Sequence, residues 1–329
     1  MSKMKERWWR IDRRNATGLL TFLLGLAAAT GCAGASLAAP DSQGVSLRFE
    51  AILGQSCTSP GEYHRPLALA GTAADGLLIA DAGNSRVVCL DGAGTPLWEG
   101  GGMGTEEGIL RRPTSAVATG LAVYVLDQLG LAIHQFHARG EYQGVALDFR
   151  RPDLEERLGQ VDPRGLAVGR SGSVLVTEAE GDRLLVFAPD WALLQVIGGF
   201  GAGAQTFAEP EGVVAAGDRI YVADSGNGRI QVLDFMGRFI AAWPLPGGGR
   251  PVGIAMGGRG ELYVADQAMH RVLVFAPSGQ LLATVGAEGR GPGSFRGPSG
   301  VCVIGDRLFV ADSENDRLVR FAIERAAGP

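Results

Sequence analysis

Lysine is nearly missing from this chain. Lys3 and Lys5 are the only two among 30 basic residues, so every later cation is an arginine. That removes Schiff-base and P-loop lysine chemistry from everything beyond the first residues. Histidine and cysteine are also scarce, at four each, which leaves little for a metal centre or a disulfide framework. Charged residues make up only 20% against 46% hydrophobic, the balance of a packed globular chain and not a disordered one. The charge is uneven. Residues 1–31 carry six basic and two acidic groups, and the rest carries 24 and 33. An acidic body lacks the basic patch that nucleic-acid binding needs.

Glycine is the excess, with 51 residues. They follow no three-residue period, which excludes a collagen helix. A chain so rich in glycine must turn often, which argues against a helical bundle or coiled coil.

Residues 1–14 are basic, and residues 15–40 carry no charge. An apolar core at 18–29 followed by small residues is the pattern of a secretory signal. Three readings stay open. Ala29-Thr30-Gly31-Cys32 fits cleavage before a lipidated Cys32. Cleavage after Ala33-Gly34-Ala35 fits an ordinary signal. An uncleaved membrane anchor is the third, although the strongly apolar run is short for a span. With the boundary taken before Cys32, the N-terminal signal or anchor spans 1–31 and a linker 32–44. Each reading places the body outside the cytoplasm, in the periplasm or on the outer surface.

The remainder repeats. A proline recurs at 66, 113, 163, 210, 251 and 298. An acidic residue follows each by 14 or 15 positions: Asp81, Asp127, Glu178, Asp224, Asp266 and Asp312. Five residues further stands an arginine in Arg86, Arg183, Arg229, Arg271 and Arg317, with Ala132 in the second copy. Residues 210–239 read as four short strands, at 212–216, 219–223, 229–234 and 238–243, separated by turn chemistry. Ser225-Gly226-Asn227-Gly228 reads as a hairpin turn whose glycine and asparagine accept positive φ. Glycine-rich connectors end in an apolar slot (Tyr63, Ile109 or Leu110, Phe207, Phe295) before the next proline.

Four strands per ~45 residues predict a propeller blade. The last copy runs out after its third strand, and a strand at about 46–53 precedes the first copy. The fold class is therefore all-β: a six-bladed propeller of four-stranded antiparallel blades over 45–325, closed by the N-terminal strand, with a tail at 326–329. Residues 152–158 read as a short helical, lid-like surface insertion.

Pro-x-Gly-apolar, then apolar-x-Val-Ala-Asp-x-x-Asn-x-Arg, then a glycine-rich connector ending in Phe-x-x-Pro, resembles the NHL repeat. Copies one, four and six carry it most fully, in Asp81–Asn84–Arg86, Asp224–Asn227–Arg229 and Asp312–Asn315–Arg317. The resemblance implies a propeller and leaves the function open. In amidating lyases of similar repeat form, zinc is held by histidines just after the repeat proline. Here those positions are Leu67, Thr114, Arg164, Glu211, Val252 and Ser299. His64, His134, His137 and His270 are scattered around the ring. No catalytic residue, metal ligand or cofactor is assigned.

The Asp…Arg pairs (Asp81–Arg86, Asp224–Arg229, Asp266–Arg271, Asp312–Arg317) read as exposed structural clasps at the hairpin, each contributing about 0–1 kcal/mol. Arg65, Arg112, Asp162, Arg164, Glu209, Glu211 and Arg250 cluster around the repeat prolines and form a mixed-charge channel mouth, the candidate binding site. Cys89 and Cys302 are expected as buried thiols, and Cys57 as their only candidate disulfide partner once Cys32 is set aside. The expected function is a non-enzymatic, monomeric, cell-envelope propeller that presents loops and channel to a protein, peptide or glycan. Its membrane link is the N-terminal lipid or anchor, and nucleic acid is not a partner. The alternative is a lactonase-like or amidating-lyase-like hydrolase or lyase with a divalent metal in the channel.

Overall fold

The computed structural model describes residues 44–54, 63–102 and 108–325, all within one compact unit, Ala39–Pro329. The 1–31 segment, Cys32, residues 33–43 of the linker, Cys57 and the 326–329 tail lie outside the described residues.

Each repeat proline opens an inner strand: Pro66–Gly71, Pro113–Thr119, Pro163–Val168, Pro210–Ala216, Pro251–Met256 and Pro298–Ile304. The first residue of an edge strand is where proline is tolerated, because its missing N–H breaks no ladder bond. Three further antiparallel strands complete each of six four-stranded sheets. In the sixth, the outermost strand is Val45–Leu53, which pairs with Arg317–Arg325 from Val45 opposite Arg325 to Leu53 opposite Leu318. The ring is thus closed by hydrogen bonds between the two ends of the propeller sequence.

All six inner strands share one irregularity. The register with the second strand slips just after the proline, as at Pro66/Ala68, Pro113/Ser115, Pro163/Leu166 and Pro210/Val213. The same slip occurs at Pro251/Ile254 and Pro298/Gly300. Such bulges re-aim a side chain and bend the strand. Here they turn the residue after each proline toward the channel.

The core lies between neighbouring blades. Leu184, Ile197, Phe207, Val213, Ile220 and Leu233 interlock the third and fourth. The connector slots feed this core, since Phe207 and Phe295 are fully buried and Leu110 nearly so. Phe207 and Phe295 lie over Gly198 and Gly286, both at φ +107. A Cβ at either glycine would fall 2.6 or 2.5 Å from the ring. Burying one such phenylalanine contributes about 1.5–3 kcal/mol.

Three expectations need correction. The segment Pro152–Leu158 is a helix but not a lid: Leu154 and Leu158 are buried in the cluster between the second and third blades, with Phe149 and Phe187. The Ser225–Asn227 turn is a short 3-10 segment, and only Gly228 takes positive φ, at 61°. Asn227 keeps ordinary φ because its side chain donates to Asp224 and to the Gly201 carbonyl.

The third correction concerns the charged motif, which is buried. Asp81, Glu178, Asp224, Asp266 and Asp312 have no exposure, and Arg317 has none either. One carboxylate oxygen accepts the arginine Nε–H, at 2.8 Å for Arg86, 2.7 Å for Arg183 and Arg229, 2.9 Å for Arg271 and 2.6 Å for Arg317. The other accepts a backbone N–H one or two residues before the repeat proline, from His64, Asp162, Ala208, Arg250 or Arg296. The arginine then turns its outer nitrogens to connector carbonyls: Arg229 to Ala202 and Gly203, Arg317 to Arg290 and Ser294. The pair therefore fastens the glycine-rich connector to the hairpin. In the second copy, where arginine is missing, Asp127 accepts the Arg111, Arg112 and Gly130 N–H groups.

Candidate functional site: the charged mouth of the channel

The six inner strands surround a cavity of about 500 Å³. Each is the edge strand of its sheet, so unpaired backbone groups face the cavity. The side chains after the prolines (Leu67, Thr114, Arg164, Glu211, Val252 and Ser299) all line it.

Of the seven candidate mouth residues, Arg65, Arg112, Arg164, Glu211 and Arg250 line the cavity. Asp162 and Glu209 stand behind them as ionic partners. Arg164 Nη2 meets Asp162 Oδ2 at 2.5 Å, and Arg250 Nη1 meets Glu209 Oε2 at 2.8 Å. Glu211 Oε1 lies 3.4 Å from both Arg164 Nη1 and Arg250 Nη2. Burial pushes the Glu211 carboxyl above its ordinary pKa, against the pull of Arg164 and Arg250. Burial also opposes the Arg164 charge, but Glu211 and Asp162 outweigh it and hold that group above its ordinary value.

The compensation is one-sided. The acids neutralise the arc of blades three to five. In blades one and two, Arg65 and Arg112 have no side-chain ionic or hydrogen-bond partner among the described residues. Their bonded groups are backbone only: the Arg65 N–H donates to Asp316, and the Arg112 N–H to Asp127.

Sequence reasoning missed Gln128 and Gln267, which line the same mouth. Both follow the repeat acid directly, a position occupied by Ala82, Ala179, Ser225 and Ser313 in the other copies. The repeat phase marks that position as facing the next blade: Ser225 Oγ donates to the Pro251 carbonyl and Ser313 Oγ to the Pro66 carbonyl. Gln128 follows the rule, with Nε2 donating to Asp162. Gln128 is 6% exposed, and its Oε1 finds no donor among the described residues. Thr114 Oγ1, on the same blade, also lacks a partner among them.

The histidines do not meet. His64 Nδ1 lies 3.1 Å from Asp316, His137 lies beside Glu141, and His134 is buried near Asp127. His270 Nδ1 accepts the Gly297 N–H at 3.0 Å. Among the described residues no three His, Cys, Asp or Glu side chains converge in a way that would hold a metal ion. Cys89 and Cys302 are buried free thiols, and Cys89 Sγ donates to the Leu90 carbonyl.

Fold and mouth define a six-bladed β-propeller with a polar, unevenly charged channel entrance. The chain carries NHL repeats: the model of that repeat matches residues 207–233, 249–275 and 295–321, which are blades four, five and six. The fifth blade is thus matched although it departs from the motif more than the first. No curated protein matches the sequence. Among solved structures, a gluconolactonase of Xanthomonas campestris is similar with a TM-score of 0.59 and 16% identity, over 84% of this chain and 98% of that one. The PQQ-bound aldose sugar dehydrogenase of Streptomyces coelicolor gives 0.57 and 13%, over 87% and 100%. An inactive virginiamycin B lyase of Staphylococcus aureus with quinupristin gives 0.54 and 14%, over 84% and 99%. At these identities the likeness is one of fold.

Proposed function

We propose that the protein is a non-enzymatic binding propeller of the cell envelope, which captures an acidic ligand at the mouth of its channel. The observation that carries this reading is the uncompensated arc of Arg65 and Arg112 beside a cavity of about 500 Å³. A cavity of that size admits a small molecule or the terminal unit of a peptide or glycan. It does not admit a folded domain. The basic then apolar N-terminus supports export, with Cys32 as the lipid-attachment site. The acidic body argues against nucleic acid as the partner.

The enzyme alternative asks the mouth acids to bind a divalent ion. Asp162, Glu209 and Glu211 are each engaged by an arginine, an arrangement suited to fixing arginine geometry.

The test is retention. Full-length protein is immobilised, exposed to the soluble envelope fraction, washed and eluted with salt, and the eluate is read by mass spectrometry. A compound held by the wild type and lost from the Arg65→Ala/Arg112→Ala double variant supports the reading. Retention that ignores both arginines overturns it. Fatty-acid labelling of the wild type and of Cys32→Ser tests the anchor separately.

A further inference from the structure

We infer that blades one and two form a subsite for a carboxylate with hydroxyl groups beside it, an acidic sugar being the fitting class. This rests on the mouth being the binding site and adds what the ligand must look like.

The charge requirement comes from Arg65 and Arg112. They begin neighbouring inner strands, both line the cavity, and neither has a side-chain partner among the described residues. Planar guanidinium groups without an internal acid are matched by a carboxylate through paired N–H donors. Across the mouth, Arg164 and Arg250 are already occupied. The ligand's charge is thereby directed to one side of the ring.

The hydroxyl requirement comes from the wall of the second blade. Gln128 has its amide nitrogen committed to Asp162, which leaves Oε1 as a buried acceptor with no donor among the described residues. The Gln128 N–H donates to the Arg112 carbonyl at 3.0 Å, so the glutamine is fixed to the same turn as the arginine. Thr114 Oγ1, two residues beyond Arg112, lacks a partner among the described residues as well. Buried polar groups left without a partner are costly, and a ligand that completes them recovers that cost. A hydroxyl both donates and accepts, so neighbouring hydroxyls satisfy an amide oxygen and a threonine together once these two wall side chains turn their buried oxygens into the cavity. The open edges of the inner strands below add further backbone donors and acceptors, as a polyhydroxy body requires.

Backbone conformation points the same way. Arg65 holds φ +48°, a conformation costly for a residue with a side chain. The equivalent residues before the prolines of the fourth and sixth blades are Glu209, at φ +47°, and Gly297, at φ +57°. An arginine stands in the first blade where glycine would fit without strain.

The test is calorimetric titration of the full-length protein with D-glucuronate, D-glucose, acetate and N-acetylglycine. D-glucuronate is expected to bind about tenfold or more tighter than D-glucose or acetate, and Arg65→Ala/Arg112→Gln to abolish that margin. Gln128→Met should bring D-glucuronate down toward acetate. Glu211→Gln, which removes one of the acids facing Arg164 and Arg250 while Asp162 and Glu209 stay, should strengthen D-glucuronate. Arg65 is exposed, so Arg65→Ala alone remains informative if the double variant folds poorly. Equal binding of acetate and D-glucuronate, or no binding of D-glucuronate, overturns the inference. Tighter binding of N-acetylglycine overturns it in favour of a peptide C-terminus. If the retention experiment yields an arginine-dependent compound without a carboxylate, the mouth stands and this assignment falls. If it yields nothing, both fall.

Discussion

Asp316 in the sixth blade accepts the backbone N–H of Arg65 in the first, at 2.8 Å. The same clasp joins Asp182 to Glu209 and His270 to Gly297. The accepting residue always stands four places after the repeat acid and itself has positive φ: 53° for Asp316, 52° for Asp182 and 51° for His270. One blade thus fixes the first turn of the next, and the mouth is built from these turns. Arg65→Gly should therefore separate stability from binding. It keeps the clasp and relieves strain, so stability should hold or rise by about 0.5–1 kcal/mol in urea unfolding. Binding of D-glucuronate should fall.

Arg317 and Asp312 are the most deeply placed ion pair, with Nε to Oδ2 at 2.6 Å and no exposure. Removing one partner leaves the other charged and buried. Arg317→Ala should cost about 3–5 kcal/mol. Arg238→Ala breaks a pair whose arginine side chain is 78% exposed and should cost under about 1 kcal/mol. Chemical denaturation of both variants checks the contrast.

His270→Ala removes an acceptor and should cost about 0.5–1.5 kcal/mol. His270→Asn restores a side-chain oxygen that accepts the Gly297 N–H and should recover most of it. Equal losses in both variants would place the effect in packing and not in the clasp.

Burial holds the pKa of His134 below its ordinary value, with Asp127 opposing. Below about pH 6.5 the unfolded chain takes up a proton that the folded one refuses. Stability should therefore fall as pH drops from about 6.5 to the folded pKa. His134→Gln should flatten that part of the urea-midpoint curve.

Burial raises the pKa of Cys302 to about 12 and pushes Cys89 up as well. Neither is a thiolate near neutral pH. Iodoacetamide at pH 8 should leave both unmodified in the folded protein and label both in urea, as read by peptide mass spectrometry.

The ring was legible in the sequence because each of its devices recurs in phase. The prolines mark strand starts, the acids mark the second hairpin, and the apolar slots mark the connectors. The strand missing from the last copy told where Val45–Leu53 had to pair. Burial of the charged pairs was not legible, because Asp…Arg at five residues reads the same on a surface hairpin as beneath a connector. What buries Arg317 is the run of carbonyls at Arg290, Gly291 and Ser294 wrapped over it. The helix Pro152–Leu158 was legible as a helix, but it reads as a lid-like surface insertion because Leu154 and Leu158 alone among its side chains enter the core. Five of the mouth residues were found by their distance from the prolines. Gln128 was not, although its position after the repeat acid carries the signal once the serines there are seen to reach the next blade.

If the acidic ligand binds as proposed, it sits where the inner strands of the first two blades begin. Hydrogen exchange of the full-length protein with and without saturating D-glucuronate tests this most directly. Slowed exchange is expected at residues 65–69, 112–117 and 127–131, with the outer strands unchanged. Protection confined to outer strands, or spread evenly around all six blades, would contradict this placement.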